Sequence, residues 1–106
     1  MQSRYLNITT VTDNINVARK ISRTLVEKDL IAGAQIEQIE SIYMWQGHKT
    51  EKTEYRIIFK TTTEKKADVY KTIKELHNYK CPEITGQYFD FIDKDFAAWI
   101  ENPKNS

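Results

Sequence analysis

The sequence is poor in the residues that usually announce a site. Among its 106 residues there are one Cys, two His, two Pro and three Gly. A single Cys, Cys81, cannot form an intrachain disulfide, and without CxxC pairs a structural zinc site of the thiolate type is excluded. His48 and His77 lie far apart and neither belongs to an HExxH pattern. Charge of one sign is also missing: 16 Lys+Arg face 15 Asp+Glu, a net charge of +1. That balance removes the simplest case for a nucleic-acid partner, because phosphate binding usually shows as a basic excess. No apolar run approaches the roughly 18 to 20 residues of a membrane span. The opening MQSRYLNITT has neither the apolar core nor the small-residue cleavage site of a signal peptide. With its lone thiol, the chain is expected in the cytoplasm, with no membrane partner.

What is present patterns as alternating strands and helices. Tyr5 to Val11 is rich in β-branched and aromatic residues and reads as a strand. Thr12, Asp13 and Asn14 offer capping oxygens. Ile15, Ala18, Ile21 and Leu25 then recur at helical spacing, to an end near Asp29. Ala34 to Trp45 reads as a long strand whose apolar residues change parity, which predicts a bulge near Glu37 to Ile39. Residues 46–50 form a hairpin connection, and Thr53 to Thr62 alternates as the third strand. A helix follows from Thr63-Glu64, with Val69, Ile73 and Leu76 as its buried stripe, and Pro82 marks its break. A last strand is expected over Glu83 to Ile92. Phe96, Trp99 and Ile100 mark a short terminal helix.

The order β-α-β-β-α-β plus a helix predicts an α+β fold over residues 1–106, a single domain. It is the ferredoxin-like sandwich, with an extra C-terminal helix. Two helices cover one face of a four-stranded sheet, yet Ile39, Tyr43 and Trp45 supply apolar groups to the other. The long second and third strands would project past the core. Both features predict self-association.

The segments LVEKDLIAGAQI, SIYMWQGHKTEKTEYRIIFKTT and IKELHNYKCPEI resemble the CutA family of divalent-cation tolerance proteins. The resemblance runs from the first strand to the final FAAWI. It implies the ferredoxin-like fold, a homotrimer joined through its hairpins and sheet edges, and metal tolerance through binding of copper or another divalent ion. His77 stands at the family's histidine and is the candidate metal ligand, set against its reading as a partner for the C-terminal end of the second helix. Family positions that carry Cys hold Thr9 and Gly33 here, the second histidine is Leu76, and the proline after His77 is Asn78. The soft-ligand set that favours copper is therefore thin.

Several side chains admit two roles. Tyr43 and Trp45 share a strand face, as interface packing or as an intersubunit pocket wall. Lys60 and Glu83, at strand ends, could pair; joined by Tyr79 and His77 they would form a polar cluster for a small anionic metabolite. His48 and Lys65-Lys66 read as solvated groups, and Cys81 as an ordinary thiol. No Ser or Cys has a histidine and an acid at nucleophile-base spacing, so the chain is expected not to be an enzyme. Two alternatives remain: a regulatory trimer that senses small molecules, like PII proteins, and an RNA-binding module stacking bases on Tyr55 and Phe59.

Overall fold

A computed structural model describes residues 3–105. Strand β1 (Tyr5–Thr12) leads into helix α1 (Ile15–Glu27). The Asn14 side chain accepts from the N–H groups of Asn16 and Val17, which fixes where this helix begins. Strand β2 (Gly33–Trp45) returns through Gln46-Gly47 into β3 (His48–Thr62). A single 3-10 turn precedes α2 (Lys66–Leu76), followed by β4 (Ile84–Tyr88) and α3 (Lys94–Glu101). The sheet order is β2-β3-β1-β4, with antiparallel neighbours throughout. This is the expected ferredoxin-like α+β arrangement.

The two sheet faces divide by residue parity, because successive strand side chains point to opposite sides. Leu6 and Ile8 of β1 and Ile57 and Phe59 of β3 lie on one side, buried against α1 and α2. Ala18, Ile21 and Leu25 of α1 and Val69 and Ile73 of α2 complete that core, at the helical spacing seen in the sequence. On the opposite face, α3 covers one end. The Trp99 ring lies so close to Gly33 that a Cβ there would stand 3.2 Å from its Cη2. Arg4 ties the base of α3 down through Glu101 at 3.1 Å.

Three sequence expectations are corrected. The β2–β3 register runs unbroken from Gly33↔Lys60 to Trp45↔His48, so there is no bulge near Glu37–Ile39. The parity change has another cause: past Ile36 the hairpin outruns the helices, and both of its faces carry apolar residues. Ile42 is 61% and Met44 66% exposed on the helix side. The hairpin turn is shorter than expected, two residues with positive φ at both Gln46 (49°) and Gly47 (80°). That backbone matches the twist of the strands it joins. The last strand ends at Tyr88, not Ile92, because β1 offers it no partner beyond Tyr5.

Candidate functional site

The open sheet face beyond α3 forms a cleft of about 860 Å³. Its floor comes from alternate residues of the hairpin: Ile39, Ser41 and Tyr43 on β2 face Glu54, Lys52 and Thr50 on β3. The turn after α2, residues 78–81, walls one side, and Trp45 stands at the hairpin end. The unbroken register thus puts Tyr43 and Trp45 on one face.

Three segments meet at His77, the C-terminal cap of α2. Its Nδ1 accepts the N–H of Tyr79 at 3.0 Å, so the proton must sit on Nε2, which donates to the Val11 carbonyl at 3.0 Å. The imidazole also packs on the Tyr79 ring, with centroids 5.1 Å apart. Burial holds His77 below its ordinary pKa, against the opposing pull of the Val11 carbonyl and Asp13. The Tyr79 hydroxyl in turn donates to Glu54 Oε2 at 2.5 Å. Burial, followed by this carboxylate, raises the Tyr79 pKa, so the phenol stays a donor. Glu54 is only 5% exposed.

Lys52 lies over the Tyr79 ring at 5.0 Å and reaches Asp13 Oδ2 at 3.5 Å. The Tyr79 and Tyr43 phenols raise its pKa, so it remains a cation. Asn78 braces the turn, accepting from Thr12 Oγ1 at 2.6 Å and donating to Asp13 Oδ1 at 2.9 Å.

The side chains marked in the sequence are only partly brought together. Tyr43, Trp45, Tyr79 and Glu83 all line the cleft; Lys60 does not. Lys60 pairs with Asn7 across the strands, whereas Glu83 lies beside Thr10, whose hydroxyl donates to the Glu83 carbonyl. Lys60 stands opposite Asn7, three residues before Thr10, so Lys60 and Glu83 are held at different levels, about 10 Å apart along the strand at roughly 3.3 Å per residue. Lys60 bonds Asn7 Oδ1 at 3.5 Å instead. The anion cluster built on Lys60 is therefore not assembled; the lysines that line the cleft are Lys52 and Lys80. Glu54 was missed, because an acid among alternating charges on a strand reads as a solvated side chain. Its place on the cleft face follows from the β2–β3 register, which sets it opposite Ile39.

A resident metal ion fits these residues poorly. Both His77 nitrogens are engaged within the fold, which leaves the ring no lone pair for a cation. Cys81 is exposed, and no group of three His, Cys, Asp or Glu among the described residues could hold an ion. The RNA-binding expectation also fails on geometry. Phe59 is fully buried under the helices and Tyr55, of the same parity, packs half-buried against the core, so neither offers a ring for base stacking. No helix among the described residues is long and apolar enough to cross a membrane.

Comparison with known proteins places this architecture. Residues 6–103 match the family described as CutA1 divalent ion tolerance protein. The divalent-cation tolerance protein CutA of Thermococcus kodakarensis is 36% identical over 83 residues, 78% of this chain and 80% of that protein. That of Thermotoga maritima is 34% identical over 82% of this chain and 86% of its own length. Among solved structures, the periplasmic divalent cation tolerance protein CutA of Archaeoglobus fulgidus superposes with a TM-score of 0.87 at 32% identity, covering 92% and 95% of the two chains. CutA1 of Shewanella sp. SIB1 covers all of both chains with a TM-score of 0.91 at 25% identity. The match spans the hairpin, the His77–Tyr79 turn and α3 alike, and the chain belongs to the CutA1 family of divalent ion tolerance proteins.

Proposed function

We propose that this chain serves divalent-cation tolerance as a homotrimer that binds ligands and catalyses no reaction. The observation that carries the reading is the hairpin: it outruns the core with apolar side chains on both faces, Ile42 and Met44 on one and Ile39, Tyr43 and Trp45 on the other. A projecting two-sided apolar hairpin is stabilised when a second chain covers it. Non-catalysis is supported by His77, whose ring is committed to backbone partners and is not free as a base. The response to copper or another divalent ion then draws on donors of more than one protomer, since the described residues of one chain bring no three candidate ligands together. Residues 1–106 act as one domain in the cytoplasm, where the exposed Cys81 stays reduced.

The cleft favours a second reading, a regulatory trimer resembling PII proteins that senses a small molecule. Its volume, about 860 Å³, lies in the range of ligand sites, and its wall combines aromatic side chains with a buried carboxylate. Native mass spectrometry of protein purified without added ions, followed by a titration with Cu²⁺, tests both readings. A trimer mass with Cu²⁺ binding that survives His77→Ala is expected. A monomer mass would overturn the assembly, and loss of binding in a folded His77→Ala variant would restore His77 as a ligand.

A further inference from the structure

The helix side of the sheet holds a second, smaller cavity of about 450 Å³ at the base of the hairpin arm, lined by Ile15, Arg19, Ile36, Gln38 and Tyr55. Ile36 pairs with Ile57 and Gln38 with Tyr55, so parity sets this cavity on the face opposite Ile39 and Tyr43. Ile15 and Tyr55 pack against the core, yet Ile36 beside them is 37% exposed, which leaves an apolar floor open to water. The polar groups around that floor are the Arg19 guanidinium, the Gln38 carboxamide and the Tyr55 hydroxyl, all of which can donate. No carboxylate lines the cavity, and Arg19 makes no ion pair among the described residues. Lys20 and Arg23 on the same helix are likewise exposed and unpaired among them. Like charges four residues apart, as Arg19 and Arg23 are, cost a helix stability, so helix stability does not account for this stripe. It does raise the local concentration of anions. A bare phosphate would use the cations and leave the Ile15–Ile36 floor wet. A carboxylate on an apolar body uses both, because a planar guanidinium takes two carboxylate oxygens in parallel.

We propose that this cavity binds a small carboxylate with an apolar body, its charge on the Arg19 guanidinium and its hydrocarbon over Ile15 and Ile36. The site shares no lining residue with the cleft and does not depend on the cleft being a ligand site. Ile42 and Met44, the apolar residues of this face assigned to the trimer contact, begin four residues beyond Gln38, about 13 Å further along the strand.

Calorimetric titration of the assembled protein with three probes tests it: 4-methylpentanoate, the neutral 4-methylpentanamide and inorganic phosphate. The carboxylate is expected to bind at least about tenfold more tightly than the amide, the usual margin of a charge-assisted hydrogen bond, and more tightly than phosphate. Arg19 is exposed, so Arg19→Gln is expected to keep the fold, read by circular dichroism, and to erase the margin between carboxylate and amide. Carboxylate affinity unchanged in Arg19→Gln would place the binding elsewhere and overturn the proposal. Phosphate binding as tightly as the carboxylate would overturn the apolar body, and equal binding of carboxylate and amide would overturn the role of charge. Binding of none of the three would overturn the site, while the trimer and the cleft would stand on their own tests.

Discussion

His77 shows how far a residue's role can depart from its residue type. Histidine in a metal-tolerance family suggests a ligand, yet here each ring nitrogen closes a bond between separate segments, at 3.0 Å to the Val11 carbonyl and 3.0 Å to the Tyr79 N–H. Protonation of Nδ1 would set two donors face to face. Burial holds the folded-state pKa below the ordinary 6.5, so the folded chain binds fewer protons than the unfolded one as the pH falls past that value. The contribution of His77 is therefore fully present above about pH 6.5 and is lost as the pH falls through the folded-state pKa. Urea melts from pH 7.5 to 5 are expected to show that decline, and His77→Gln to flatten it at the cost of about 1–3 kcal/mol at pH 7.5. An unchanged slope in the variant would assign the acid loss to other groups.

Elements were more legible than the contacts between them. The 3.6-residue period of α1 and the alternation of β3 each name a buried face, and Ala18, Ile21, Ile57 and Phe59 are all buried there. The extent of β2 was also readable. Its apparent irregularity was not, because the cause lies in where the helices stop covering the sheet. The cleft was legible only as the Tyr43–Trp45 face. What completes it, the Tyr79–Glu54 bond, joins residues 25 apart through a turn whose course depends on Asn78, Thr12 and Asp13. The hairpin turn itself carries a prediction. Gly47, at φ 80°, has nothing near its missing Cβ, so a substitution there meets no clash but must adopt a left-handed backbone. Gly47→Val is expected to lower stability by roughly 1–2 kcal/mol, read from denaturant midpoints, with no loss of cleft geometry. A neutral result would mean that the turn can rearrange.

At the scale of the whole molecule, the long axis of 46 Å against 28 and 22 Å reflects the hairpin reaching past the layered core. The sandwich buries Phe59 and Leu6 completely, but leaves Ile42 and Met44 more than half exposed. If the trimer covers this arm, charges placed on it should act on assembly and spare the fold. Ile42→Lys with Met44→Lys is expected to shift the native mass from trimer to monomer while the circular dichroism of the sheet persists. A trimer of unchanged mass would move the interface elsewhere.

The same arm bears on how the chain reaches its fold. The two strands of the hairpin, Gly33–Trp45 and His48–Thr62, meet across a two-residue turn, so their pairing closes almost no loop. The β1–β4 pairing, by contrast, joins Leu6 to Tyr88 and must close most of the chain. Loop-closure entropy rises with separation, so local pairing is the faster event. The part that projects furthest from the finished core is thus the part best placed to form first. The chain then carries a formed, sticky arm through much of its folding, exposed to other chains before its own N- and C-terminal strands have met.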